Sequence, residues 1–412
     1  MLSNGTKVAP SFASRFGRPT FIEMFCGGGF ARLGLSPRWA CVFANDLCPD
    51  KAAAYARNFG PAHLAVGDIL DIDPRALPTA DLAWASFPCQ DLSLAGQRRG
   101  MTRATRSGAF WPFNDILVAL RAAQRAPKLV ILENVVGALT SAKGADFRAL
   151  VHALSGVGYR CGALIANAAM FTPQSRPRLF VIAVRRDLDV PSSLQGDNAG
   201  WSAPALDAAA EQLAAAGLPL IPFAPPAPRR ANTSLASILE DDVPNFSRAR
   251  ATRILDTMSA TGRAQIAIAQ ATASVAQRPA YGVIAMRTRE HPDGSRRPRA
   301  EPRFDGLAGC LRTPGGGSSH QILVIASPDG SIALRRFTPR ECARLMGAPD
   351  EYVLPDNPTR AYKLCGDAVA PPVVRYLDDT IFTPIMQANR APAQSFRNIQ
   401  SASTIGIARK SP

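Results

Sequence analysis

The sequence predicts an α/β protein: a doubly wound, mostly parallel sheet with a second, smaller domain inserted before the C-terminal helices. Three observations predict it. Short apolar runs alternate with amphipathic stretches from residue 21 to residue 184, the rhythm of strand, helix, strand. Reactive residue types stand just past the ends of those runs, where open parallel sheets gather their functional groups. A proline-rich connection then leads into an arginine-rich segment before a helical pattern resumes. At 412 residues the chain is long enough for one large lobe and a smaller one.

The first run, 21–25, turns through Cys26-Gly27-Gly28-Gly29, and glycines there let a ligand approach the backbone. The strict dinucleotide fingerprint is not met, because the third glycine counted from Gly27 falls on Arg32. The second run, 39–44, precedes Asp46, about twenty residues past the glycines, where an acid can bind two ribose hydroxyls. Asp68-Ile69 follows a third candidate strand, although an acid after a strand is also an ordinary helix N-cap. In this order the residues suggest a nucleoside cofactor without requiring a phosphate.

The run 82–87 ends in Pro88-Cys89-Gln90, and 129–132 ends in Glu133-Asn134-Val135. A thiol and a carboxylate thus fall at one rim, a nucleophile with an acid beside it. The plain alternative for Cys89 is a small buried apolar residue. The last run, 179–184, follows Gln174-Ser175-Arg176-Pro177-Arg178, and the lobe boundary is placed near Arg185.

Beyond it, an alanine-rich piece at 206–216 gives way to Pro222, Pro225, Pro226 and Pro228, which reads as a stiff connection rather than core. Between Arg248 and Arg303 arginines are frequent and acids few, and glycines follow at 315–317. This segment is the expected polyanion-facing lobe, a solvated basic surface being the alternative. Thr338-Pro339-Arg340-Glu341 has the form of a capping box with proline at the first helical position, and Gly347 and Pro349 supply a stop, so a helix is predicted over 339–346. The predicted domains are 1–184 plus 336–388, a recognition domain at 185–335, and a polar, disordered tail at 389–412.

The formal net charge of +15 suits a polyanionic partner. Eight cysteines without a Cys-x-x-Cys pair, and only four histidines, argue against a zinc site and against a disulfide framework. The first ten residues lack a signal-like apolar core and no run is long enough to span a membrane, so a soluble, cytoplasmic protein with no membrane partner is expected.

Phe-x-Gly-x-Gly, Gly-Asp-Ile, Phe-Pro-Cys-Gln, Glu-Asn-Val, Gln-x-Arg-x-Arg and Arg-Glu-x-x-Arg-Leu-x-Gly occur here in the order found in the C5-cytosine DNA methyltransferases. The chain resembles that family over 21–184 and 335–377, six motifs in order being highly specific. The intervening segment matches only loosely, as that family's variable target-recognition region does. The resemblance implies a Rossmann-like methyltransferase fold and S-adenosylmethionine as cofactor, lined by Phe25, Gly27, Gly29, Asp46, Asp68, Ile69, Pro88 and Val369, with Asp46 on the ribose. It makes Cys89 the nucleophile that adds to C6 of cytosine and Glu133 the acid that offers a proton to N3. Arg178 resembles the arginine that holds the base's O2. Arg176 joins the catalytic set, and with Gln174 it resembles a support for the loop and the DNA backbone.

Such chemistry needs double-stranded DNA with the cytosine extruded, and the glycine- and arginine-bearing stretch 91–108 suits a closing loop, an ordinary flexible surface loop being the alternative. Gln174, Arg287, Arg289, Arg312, Ser318, Ser319 and Gln321 are the candidate DNA contacts. A monomer is expected because a single extruded base is an asymmetric target, and the chain's compactness favours a restriction-modification system, with a cognate endonuclease as a candidate partner, or a solitary bacterial or phage enzyme. Two departures stand out: Ser86 where the family has glycine, and Gly366-Asp367-Ala368-Val369 where Gly-Asn-Ser-Val is common. Two alternatives remain at this stage. One is cytosine methylation in tRNA, whose Cys-Phe-Thr signature is not found, and the other a DNA-binding protein without turnover.

Overall fold

A computed structural model describes residues 17–88, 106–228, 233–290, 294–313 and 321–390. Among them the large lobe is built on seven strands: β1 (Thr20–Met24), β2 (Ala40–Asp46), β3 (Leu64–Val66), β4 (Leu82–Ala85), β5 (Leu129–Val135), β6 (Tyr159–Asn167) and β7 (Pro177–Arg185). Their order is β3-β2-β1-β4-β5-β7-β6, parallel except that β7 runs antiparallel to both β5 and β6.

Strand residues of alternate parity face two different helical layers. Phe21, Trp84, Leu129, Ile131 and Phe180 pack toward α1 (Phe30–Leu35) and the C-terminal helices, whereas Ile22, Met24, Ala83, Val130 and Val181 pack toward the other layer. That layer holds α3 (Phe110–Ala122), α4 (Ala145–Val157) and α5 (Pro204–Ala215), while α2 (Pro49–Phe59) lies behind β2 and β3. With both faces covered, the strands read as near-continuous apolar runs.

The sequence reading did not foresee β6. Most of its residues are buried, so it shows no clean alternation, and Gly162 and Ala163 are weak strand formers. It reaches β7 through a short turn at Ala168–Met170, and without a crossover helix the pair is antiparallel.

The expected boundary near Arg185 needs correction. Trp201, Leu206, Leu213, Ile221 and Phe223 all belong to the core of the large lobe. The Ile221 N–H donates to the Cys161 carbonyl at 2.8 Å, and the Trp201 indole donates to Pro225 O at 2.8 Å. The proline-rich stretch is therefore core edging, not a free connection. Its apolar residues stand singly between prolines, which leaves no period to read.

The smaller lobe holds α6 (Arg248–Asp256), α7 (Ala260–Ala276) and a four-stranded antiparallel sheet. Its strands β8 (Ala280–Glu290), β9 (Arg296–Arg303), β10 (Ile322–Ala326) and β11 (Ile332–Arg336) take the order β11-β10-β8-β9. The chain then returns through α8 (Pro339–Met346), α9 (Pro358–Asp367), α10 (Pro371–Leu377) and α11 (Thr383–Ala388). The Thr338–Glu341 capping box is formed, as its sequence predicts. α10 packs on α1, where Arg375 donates to the Leu33 carbonyl at 3.0 Å. Asn389, assigned to the tail, is pinned to the backbone of Asp189 on both sides, and residues 391–412 lie outside the described residues.

Candidate active site at the carboxyl rim

β1 and β4 end side by side, with Met24 in register with Ala85 and Ala85 with Leu132, and β5 runs on beside them to Val135. After β1 the backbone reverses through left-handed conformations at Phe25, Gly27 and Gly29, with φ of 57°, 54° and 79°. Gly29 caps α1, and a side chain there would run into the Phe59 ring. The turn is tied to β2: the Gly27 N–H donates to Asp46 Oδ2 at 2.7 Å, and the Cys48 N–H to Asp46 Oδ1 at 2.8 Å. Each oxygen accepts one backbone bond and keeps capacity for another. Asp68 accepts from the Leu70 N–H at 3.0 Å and so caps a single turn at Ile69–Asp71, with Ile69 buried.

Glu23 was missed by the sequence reading, because it sits inside an apolar run and reads as strand. It is 1 % exposed, and its Oε2 finds no hydrogen-bond partner. Burial pushes its carboxyl up to about 8, only partly opposed by the Arg32 guanidinium.

Past β4, Phe87 is buried and Pro88 exposed, and the Asn134 amide donates to the Phe87 carbonyl at 3.2 Å. That bond fixes the backbone directly before Cys89, which itself lies outside the described residues together with 90–105. Ser86 accepts from the buried Trp84 indole at 2.9 Å, a bond a glycine cannot offer.

Glu133 and Arg178 meet across the β5–β7 ladder. Glu133 pairs with Phe180 and Val135 with Arg178, so the two charges are diagonal neighbours on one face. Arg178 Nε lies 3.2 Å from Glu133 Oε1, both side chains being largely buried. Beside them, Arg176 is fully enclosed and donates to the carbonyls of Leu311, Gly366 and Ala368 at 2.9, 2.8 and 2.6 Å. It binds the segment leading out of the small lobe to the end of α9, next to the buried Val369.

Cys310 has no local motif to announce it. Its Sγ lies 3.3 Å from Arg176 Nη1 and 3.7 Å from Arg178 Nη2. Burial raises the thiol, yet the Arg176 and Arg178 guanidiniums outweigh it and hold Cys310 below its ordinary value.

One expected DNA contact is corrected, and a second has its amide engaged on the backbone. Gln174 is fully buried, its amide donating to Leu345 O at 2.9 Å and accepting from the Leu311 N–H at 3.1 Å, so it presents no surface to DNA. Gln321 uses both amide atoms on Gly309, at 2.6 and 2.8 Å, and clasps the two ends of the segment 310–320. Both read as exposed polar groups in sequence, and both serve as backbone clamps. Arg287, Arg289 and Arg312 are exposed, while Ser318 and Ser319 lie outside the described residues.

A doubly wound sheet whose acids and arginines gather at one carboxyl rim is the architecture of the Rossmann-like methyltransferases. Residues 19–383 match the C-5 cytosine-specific DNA methylase family, and the chain belongs to that family, a DNA cytosine-5-methyltransferase. It is 26% identical to the Type II methyltransferase M.HhaI of Haemophilus parahaemolyticus, over 87% of this chain and 92% of that one. It is 27% identical to M.HpaII of Haemophilus parainfluenzae, over 89% of each. The crystal structure of a Spodoptera frugiperda DNMT2 superposes with a TM-score of 0.57 at 18% identity, over 88% of this chain and 99% of that one, which shows the shared fold. No helix among the described residues is long and apolar enough to cross a membrane.

Proposed function

We propose that this protein transfers a methyl group from S-adenosylmethionine to C5 of a cytosine in one short double-stranded DNA sequence, with the base extruded and held covalently by Cys89. The observation that carries the reading is the Glu133–Arg178 pair at the rim, one strand from the Phe87–Pro88 backbone that leads into Cys89.

The residues present fit the cofactor. Asp46 keeps acceptor capacity for two ribose hydroxyls beside the glycine turn. The unpartnered Glu23 oxygen suits the cofactor's ammonium, and Phe25, Gly27, Gly29, Asp68, Ile69, Pro88 and Val369 stand at the same carboxyl ends or the returning α9–α10 junction. When bound, S-adenosylmethionine supplies the electrophilic methyl group.

C5 of cytosine is a weak nucleophile, and the protein's part is to make it a strong one. The Cys89 thiolate adds at C6 while Glu133 offers a proton at N3, which turns the ring into an enamine with electron density on C5. Arg178, aligned by Glu133, holds O2, and Arg176 positions the small-lobe segment behind it. After methylation, loss of the C5 proton to water, expulsion of the Cys89 thiolate and return of the N3 proton to Glu133 restore the aromatic ring. The small lobe, with Arg287, Arg289 and Arg312, supplies DNA contacts. The setting is a prokaryotic restriction-modification system with a cognate endonuclease, or a solitary bacterial or phage enzyme, acting as a cytoplasmic monomer.

Conversion sequencing of plasmid DNA from cells expressing the chain or its Cys89→Ala form tests this reading. Protected cytosines in one short context, absent with the variant, are expected. No protected context from soluble protein would overturn it and favour an RNA substrate or a protein that binds without turnover.

A further inference from the structure

The small-lobe sheet is a partition. Tyr281, Val283, Leu323 and Ile325 face the core shared with the large lobe, whereas Ile284, Met286, Ile322 and Val324 face α6 and α7. β8 pairs with β10 only as far as Ile284, but with β9 as far as Glu290. Residues 285–290 and 296–301 therefore continue as a two-stranded ribbon past β10.

Side-chain parity places Arg287 and Arg289 on the same side of this ribbon as Val283, the side of the large lobe. Their directly paired partners are Arg299 and Arg297. Like charges directly opposite one another destabilise a sheet, so this arrangement is a poor one for folding and a good one for a polyanion.

Among the described residues of this face, one carboxylate stands with them. Glu301 receives Arg289 as a fork, with Nε to Oε1 at 2.6 Å and Nη2 to Oε2 at 3.0 Å, and Arg287 Nε lies 3.3 Å from Oε2. The hydrogen bonds from Arg289 hold the Glu301 carboxyl below the usual range, which favours its ionised form. A carboxylate in that fork occupies the place two phosphate oxygens take when arginine binds a nucleic-acid backbone.

We propose that Glu301 is an electrostatic latch on a DNA-facing arginine ribbon: it holds Arg287 and Arg289 in the free protein and is displaced by backbone phosphates when a duplex enters. The proposal rests on the DNA-methylating reading above and adds to it a device against non-specific binding. Any duplex must displace the carboxylate and then face its repulsion. A target duplex offsets that cost through the contacts its own sequence supplies, whereas a random one does not.

The test is fluorescence anisotropy with a labelled mixed-sequence duplex over a potassium chloride series, comparing the full chain with its Glu301→Gln form. The variant is expected to bind roughly two- to ten-fold tighter, the size of one or two surface ion pairs released. Its log–log salt slope should steepen by up to about one, because the wild-type carboxylate, once displaced, takes up a cation that the glutamine does not. In an Arg287→Ala/Arg289→Ala background the same substitution should give no such gain. Unchanged affinity on Glu301→Gln, or an equal gain without the two arginines, overturns the latch. Thermal melting of each variant separates these outcomes from misfolding. A chain that prefers a structured RNA probe to the duplex sinks the DNA reading, and the RNA series then judges Glu301 by the same criteria. A chain that binds neither probe sinks both.

Discussion

Lys51 Nζ lies 2.6 Å from Asp367 Oδ2, joining α2 to the end of α9 at the very position where this chain departs from the Gly-Asn-Ser-Val pattern. Asp367 also accepts from the Thr313 hydroxyl at 2.5 Å, so the added acid is neutralised and bonded. The Asp367 charge is thus met by an ammonium and a hydroxyl rather than left bare. Although burial alone would lower it, the Asp367 carboxylate holds the Lys51 ammonium above its ordinary value.

Lys51→Ala leaves Asp367 uncompensated near Asp46 and is expected to weaken S-adenosylmethionine binding several-fold in calorimetry. The paired variant Lys51→Ala/Asp367→Asn should recover most of the loss. Both residues are partly exposed, so the effect on stability itself stays within about 1 kcal/mol. Equal weakening in the single and the paired variant would show that the ion pair is incidental.

The raised carboxyl of Glu23 predicts that stability and cofactor binding depend on pH in opposite senses. An acid whose folded-state pKa is raised keeps a proton that the unfolded chain has lost, so stability declines as pH rises from about 4.5 to about 8 and then levels. Glu23→Gln should remove that decline, and melting temperatures between pH 5 and pH 9 provide the check. If Glu23 meets the cofactor's ammonium, binding draws off its proton, and wild-type affinity should tighten toward pH 8 while the glutamine variant stays flat. Parallel melting curves for the two proteins would remove Glu23 from this role.

The rim was legible in the sequence because each strand that builds it holds a short apolar run closed by a motif: Pro88 after β4, Glu133 after the apolar residues of β5 and Asp46 at the end of β2. The helix at Pro339–Met346 was legible for the same local reason, since its capping box and stop lie within ten residues of chain. What escaped depends on tertiary partners. Gln174 and Gln321 look like surface amides until the backbone groups they clamp are known. Glu23 hides in a strand pattern, and Ile221 and Phe223 enter the core from a stretch that local composition marks as a linker.

Arg335 and Glu341 form a bidentate pair at 2.7 and 2.8 Å, with the side chains 4% and 0% exposed, just where β11 hands the chain to α8. Glu341 also accepts the Thr338 and Glu240 N–H groups at 2.8 and 2.9 Å, so its charge is fully satisfied. Removing one partner strands the other: Arg335→Met should cost roughly 3–5 kcal/mol in urea unfolding. Arg335→Met/Glu341→Leu should cost less, because no bare charge stays buried, although Thr338 and Glu240 lose an acceptor. If the single variant unfolds at the wild-type midpoint, the pair carries no such weight.

Cys310 offers a chemical probe of the rim that does not depend on turnover. Its thiol is held below the ordinary value by Arg176 and Arg178 against the effect of burial, whereas burial raises Cys161 and Cys365 to about 12. In a Cys89→Ala protein, iodoacetamide at mildly alkaline pH should therefore alkylate Cys310 well before Cys161 or Cys365, as peptide mapping by mass spectrometry can follow. Replacing Arg178 by methionine removes one of the stabilising cations and should slow that labelling, while the rates at Cys161 and Cys365 stay as they were. A duplex bound with its cytosine extruded would occupy Arg178 and shield the thiol, so bound target DNA should protect Cys310 more than a mixed-sequence duplex does. Labelling of Cys310 no faster than of Cys365 would mean that the guanidiniums do not set its chemistry. The Glu133–Arg178 geometry would then have to be tested by substitution alone, where Glu133→Gln is expected to cut turnover roughly 10²- to 10⁴-fold with cofactor binding unchanged.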